Sequence, residues 1–246
     1  MKFTLQAYKD LLILIQKKKY SICNYHNYLR EDKFVILRHD VDFDLRKAAK
    51  FAKLEYEMGV KSVYFILISS DFYNVLSSYN YNCIKQIIGY GHEIGLHFDE
   101  TKYAGMNMKQ IKDAIYEEVK LLETMIGQRI ETVSMHRPSK AMLESELDLD
   151  YVINTYGKVF FKDIKYISDA RMSWREDVLR ILNNKENKKI QLLTHPFWYS
   201  EEERTITDNL KKFVLRASEE RYKELGENLR DLESVLSRKD LYGTEN

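Results

Sequence analysis

The chain has little of what marks a stapled, exported or membrane-bound protein. Only two of its 246 residues are cysteine, Cys23 and Cys83. They form no CxxC pair and offer no disulfide framework, which fits a reducing compartment. Long apolar runs are missing too. The longest near the N-terminus is LLILI (11–15), flanked by Asp10 and Gln16. It is shorter than a signal-peptide core, no small-residue cleavage site follows it, and no segment reaches bilayer length. The expectation is a soluble, cytoplasmic protein with no membrane insertion. Neither charge dominates: 39 Lys and Arg face 38 Asp and Glu, a net charge of +1. No long-range field draws the chain to nucleic acid or an anionic membrane. Proline is almost absent, with only two copies, Pro138 and Pro196.

What is present is an alternation of short apolar runs with segments of helical spacing. The runs read as strands over 34–38, 62–68, 93–96, 132–135, 151–155, 165–167 and 190–193. Asp44 can cap a helix reaching Glu57 and stopping at Gly59, with Leu45, Ala48, Ala49 and Ala52 on one face. A second helix spans 82–90. A third, over 108–126, carries Ile111, Ala114, Ile115, Val119 and Leu122 as its stripe and stops at Gly127. Such alternation predicts a mostly parallel sheet, open or closed. A helix over 5–18 precedes the first strand, and a long helix over 207–238 follows the last, its stripe suited to packing across the outside of a barrel. At 246 residues, one domain over 1–246 is expected, with its core over 34–197. The 18 Tyr and 11 Phe are compatible with stacking on sugar rings, and equally with simple compositional bias.

Reactive side chains gather at one end of these strands. Of six histidines, His39, His97, His136 and His195 fall at proposed C-terminal ends, in VILRHDVD, EIGLHFDE, TVSMHRPS and QLLTHPFW. YISDAR places Asp169 and Arg171 likewise. In parallel α/β folds those ends share the face that holds the active site. Pro138 and Pro196 fix the backbone beside His136–Arg137 and His195. Side-chain parity sends Arg38, Asp40 and Asp42 one way and Leu37, His39 and Val41 the other, so His39 reads as structural. His92 begins its strand and reads as structural too, and His26 carries no assignment.

With these motifs in place the chain resembles the polysaccharide deacetylases, the NodB-homology group also called carbohydrate esterase family four. GHEIGLH (91–97) resembles their second motif, HDVD (39–42) the paired acids of the first, HRPS (136–139) the third and LLTH (192–195) the last. HDVDFD, HRPSK and THPFW together are similar to a divergent branch associated with surface-polysaccharide biosynthesis. The resemblance spans about residues 34–197. It implies a distorted (β/α) barrel of about seven parallel strands, here with an extra N-terminal and a long C-terminal helix, and a divalent metal, zinc above all.

By position, the resemblance makes Asp40 the general base, Asp42 and His97 metal ligands, Arg137 the residue that orients the base, and His195 the general acid. Two departures stand out. Thr101 occupies the place of the family's second metal histidine, and Phe43 that of the glycine after the acid pair. Two ligands hold zinc weakly. His136 is the candidate for the third, with Asp99 and Thr101 behind it. Asp169, Arg171, Trp174 and Trp198 are expected to line a sugar pocket, the two tryptophans being equally suited to core or rim.

The resulting expectation is a metal-dependent hydrolase that removes an N-acetyl or similar acyl group from a sugar. Its substrate would be a nucleotide- or lipid-linked precursor. The alternatives are hydrolysis of another amide or an ester, or a degenerate barrel that binds saccharide without turnover. Nothing in the sequence fixes an oligomeric state.

Overall fold

The computed structural model describes residues 1–145 and 147–242. The described residues up to 202 form one compact unit and those from 203 to 242 a second. In the first unit, α1 (Leu5–Lys17) leads to β1 (Ser21–Cys23), β2 (Phe34–Val41), α2 (Leu45–Glu57), β3 (Val63–Ile66) and α3 (Ser78–Gly89). Then follow β4 (Glu93–Asp99), α4 (Met108–Ile126), β5 (Thr132–His136), α5 (Lys140–Glu144), β6 (Ile153–Asn154), β7 (Lys165–Ser168), α6 (Val178–Asn183) and β8 (Lys189–Thr194).

The strand order is β6-β5-β4-β3-β2-β8-β7, with β1 beside the first half of β2, and every pairing is parallel. The sheet is strongly curled. Arg38 on β2 donates to Ser134 on β5, three strands away, and to Thr155 just beyond β6. Across the gap between the end strands, the hydroxyls of Tyr156 and Tyr166 stand 3.5 Å apart. The distorted (β/α) barrel is therefore present as a half-barrel whose open side is spanned by side chains.

Parity along β2 divides its residues between two layers. Phe34 and Ile36 join Tyr25, Phe65, Phe160 and Ile164 inside the curl, whereas Val41 packs with the helix stripes outside it. The helices begin where local chemistry starts them. Asp44 accepts from the backbone of Arg46 and Lys47 at the head of α2, and Asn107 and Gln110 form a reciprocal cap on α4. Gly127 ends α4 in the left-handed conformation, with φ of 70°. Gly95 is required by space. A Cβ there would stand 2.4 Å from the Phe65 ring and 2.7 Å from Thr132 Oγ1.

Several boundaries differ from the sequence reading. The first strand runs on to Val41 and the third motif's strand to His136, because backbone pairing carries past the apolar residues into the reactive ones. The short β1 was not anticipated. Its three residues give no period to read. In the second unit the long helix is present but stops earlier. It is α7 (Ile206–Asn228), and two short helices, α8 (Leu232–Val235) and α9 (Arg238–Tyr242), follow it instead of a continuation to 238. Among the described residues no helix is long and apolar enough to cross a membrane.

Candidate metal and acid–base site

β2 delivers Arg38 and Asp40 to the inside of the curl and Asp42 to its rim. Arg38 and Asp40 are both buried, and Arg38 Nη2 donates to the two Asp40 oxygens at 2.9 and 2.7 Å. The guanidinium is fixed from every side. Nη1 reaches Thr155 Oγ1 at 2.9 Å, Nη2 reaches Ser134, and the Phe65 and Tyr156 rings lie 5.0 and 5.1 Å from Cζ. Burial alone would raise the Asp40 pKa. Arg38 outweighs it, helped by His97 and His195, and the carboxyl stays below its ordinary value. Asp40 is thus a buried, ionised, rigidly held carboxylate.

Asp42, His97 and His136 come together at the rim. Asp42 Oδ1 lies 3.1 Å from His97 Nε2 and 3.5 Å from His136 Nδ1, and the two ring nitrogens are 3.2 Å apart. All three ligand atoms fall within 4.8 Å of one another. Asp42 Oδ1 is buried yet accepts no hydrogen bond of good geometry. That is costly for a carboxylate oxygen unless a cation or solvent meets it. Burial, then the neighbouring His97, pushes the His136 pKa down, which keeps its lone pair available. Burial opposes ionisation of Asp42, but His97, His195 and His136 hold its carboxyl far below the ordinary range. One carboxylate and two imidazoles converging on one point suit a divalent cation.

His195 stands opposite, at the end of β8. Its Nδ1 lies 2.6 Å from Asp169 Oδ1, its backbone N–H donates to the same carboxylate, and Tyr199 donates to the other oxygen at 3.0 Å. Its Nε2 faces Asp42 Oδ2 at 3.8 Å. Burial works against the imidazolium, but Asp169, then Asp42 and Asp40, push the His195 pKa up to about 9. A pKa that high favours the imidazolium, with both ring nitrogens protonated, at neutral pH, and Nε2 points inward toward Asp42.

Two expectations are corrected. Arg137 does not orient Asp40. Its exposed guanidinium lies on Asp99 Oδ2 at 2.5 Å and near Thr101, and Arg38 holds Asp40 instead. This occupies Asp99 and Thr101, which leaves His136 as the third member of the cluster. Asp169 does not face a sugar pocket; it is fully buried beneath His195. The tryptophans take the core and rim places also left open for them: Trp198 is buried against Phe43 and Phe197, and the half-buried Trp174 stacks on Phe3 with ring centroids 6.3 Å apart. Arg171 is exposed, in a left-handed conformation with φ of 57°.

The histidines read as structural are so placed. His39 joins Thr194 Oγ1 at 2.7 Å to Glu55 Oε1 at 2.9 Å. His92 donates to Ala52 O and accepts from the Ser62 N–H. His26 is partly exposed, 3.3 Å from Glu131. Sequence reasoning missed Arg38, Ser134, Thr155 and Tyr199. Parity had already put Arg38 on the side of Asp40, so its role was recoverable. The other three are common polar residues with no spacing signal.

No protein-family model matches the chain. No curated protein matches it either. Solved structures do. A CE4 family pseudoenzyme from Bacillus anthracis is 12% identical, with TM-score 0.41, over 77% of this chain and 62% of that one. This chain therefore spans less than two thirds of that protein's length. A family 4 acetyl xylan esterase from Clostridium thermocellum, solved with a cobalt ion, is 13% identical, with TM-score 0.43, over 66% and 73% of the two chains. A peptidoglycan N-acetylglucosamine deacetylase is 17% identical, with TM-score 0.48, over 84% and 89%. At such identities these are likenesses of fold, not of chemistry.

Proposed function

We propose that the chain is a metal-dependent hydrolase that removes an N-acetyl or similar acyl group from a sugar. One observation carries this reading: the ends of β2, β4, β5 and β8 bring a buried carboxylate, a metal-type donor set and an imidazole together, with His97 Nε2 3.7 Å from Asp40 and 3.1 Å from Asp42, and His195 Nε2 3.8 Å from Asp42. Asp42, His97 and His136 would hold the cation. When bound, a divalent ion, with zinc favoured by the two imidazoles, supplies a water of lowered pKa and polarises the carbonyl.

The protein's own groups perform the proton transfers. Asp40, kept ionised by Arg38 and outside the donor set, takes the proton of the attacking water. His195, kept protonated by Asp169, delivers its Nε2 proton to the departing nitrogen, without which an amine leaves poorly. The pair is then reset by exchange with solvent.

The finer reading is an N-acylated sugar linked to a nucleotide or lipid, met in the cytosol and used in surface-polysaccharide biosynthesis. The two free, buried cysteines are in keeping with that compartment. The test is acetate release from a panel of N-acetylated sugars and nucleotide sugars by zinc-loaded protein. Turnover that falls by about a hundredfold or more in both Asp40→Asn and His195→Ala supports the reading. Absence of acetate release across the panel, with metal bound, contradicts it.

A further inference from the structure

A ridge of aromatic rings, with the Lys47 ammonium 5.0 Å over its innermost ring Phe197, leads from beside this site to solvent, and neither the donor set nor the acid–base pair requires it. Phe43 directly follows Asp42. Its ring lies 4.6 Å from Phe197, two residues beyond His195, and 4.9 Å from Phe72. Exposure rises outward, from 4% at Phe197 to 56% at Phe72. Phe72 belongs to the loop between β3 and α3, and Leu76 and Tyr79 nearby are 70% and 60% exposed.

That loop is tied to the strand end that carries Asp42. Tyr73 donates to Val41 O at 2.5 Å and accepts from Leu67 N–H at 3.0 Å. Ser70 donates to Asp42 O and accepts from Phe72 N–H, both at 3.1 Å. Tyr73 and Val75 are buried between the outward Phe72 and Leu76. The bonds tie the loop on either side of Phe72 to the strand end that carries Asp42, and so hold the Phe72 ring against Phe43. Grouped apolar residues held in water next to a reactive centre mark a surface that a ligand covers.

We propose that this ridge receives an alkyl chain borne by the sugar, which makes the substrate an N-acylated sugar on an apolar carrier. The inference rests on the hydrolase reading for the direction of the chain. His195 protonates the nitrogen that stays with the sugar, so the sugar lies on the His195 side. The ridge starts there, at Phe197, and meets the sugar's substituent instead of the departing acyl group.

Methyl and octyl N-acetyl-β-glucosaminide test this with zinc-loaded protein. The octyl glycoside is expected to show a kcat/KM about tenfold or more higher, what burial of about two methylene groups gives. Phe72→Ser and Leu76→Ser should each bring the octyl-to-methyl ratio toward one. Equal kcat/KM values in the unsubstituted protein, or a ratio that survives both substitutions, overturns the proposal. Binding of the two glycosides, followed by tryptophan fluorescence, gives a readout free of turnover. If neither is hydrolysed, the hydrolase reading fails. The ridge then stands only if octyl binds about tenfold tighter than methyl and Phe72→Ser removes the difference; equal affinities overturn it. Phe72-dependent sedimentation with phosphatidylcholine vesicles, without chain-length dependence among glycosides, overturns it in favour of a membrane-facing surface.

Discussion

A guanidinium and a carboxylate two residues apart on a strand share one face, and inside a curled sheet they have only each other and a few hydroxyls to meet. Arg38 and Asp40 are such a pair, and burial turns their contact into a constraint on Asp40's charge. Arg38→Lys removes the bidentate grip, and kcat/KM should fall by about a hundredfold. Its acid limb should move to higher pH as Asp40 loses the partner that lowers its pKa. Arg137→Ala should leave that limb in place, since Arg137 sits on Asp99. The reverse pattern in pH–rate profiles would restore Arg137 to the role its motif suggests. The alkaline limb belongs to His195, a group active when protonated. With its pKa raised to about 9, activity should persist at neutral pH and be lost as pH rises through that value. Asp169→Asn removes the largest favourable partner, so this limb should shift downward. A limb unmoved in that variant would contradict the assignment. The candidate site residues Asp40, Asp42, His97, His136 and His195 could be picked from the sequence because histidines are few and each candidate stands at the end of an apolar run. Their supports were not, since a buried Ser or Thr looks like any other until the strands are brought together.

At the scale of elements, β2 is the organising piece, and its two faces have different chemistry. The face turned from the site carries His39 onto Glu55 of α2, a fully buried acid that also accepts from Tyr8 of α1, Ser62 and Tyr64. Burial opposes the Glu55 charge, but His39, with His92 and Tyr8, brings its pKa down to about 2 from an ordinary 4.5. A depressed folded-state pKa contributes stability that is complete above the unfolded value and disappears as pH falls through the folded one. The stability gap between the natural protein and Glu55→Gln should therefore be full at pH 7 and narrow below about 4.5. Urea midpoints at pH 7, 5, 4 and 3.5 measure it, and a gap that does not change with pH would refute this account. Periodicity made α2 and α4 readable to within a residue or so, because apolar stripes and capping side chains are local. The continuation of the C-terminal helix beyond Asn228 was misread for the same reason. Leu229, Leu232 and Leu236 keep helical spacing while the backbone turns at Leu229 and Leu236.

For the whole molecule, the half-barrel gathers the ends of distant strands at one rim. Asp42, His97 and His136 are far apart in the chain and share one space only because β2, β4 and β5 run parallel within one curled sheet. No single motif encodes that convergence. The order of strand ends pointed to one shared rim and to His136 as first candidate for the third position; the geometry groups it with Asp42 and His97 and sets Asp99 and Thr101 against Arg137. The most direct measurement is zinc binding to the full chain by equilibrium titration, alongside Asp42→Ala, His97→Ala, His136→Ala and Asp99→Ala. The account predicts about one ion per chain, lost or weakened by about tenfold or more in each of the first three variants and retained in Asp99→Ala. A chain that binds no zinc, or one whose affinity falls with Asp99 and not with His136, would contradict it.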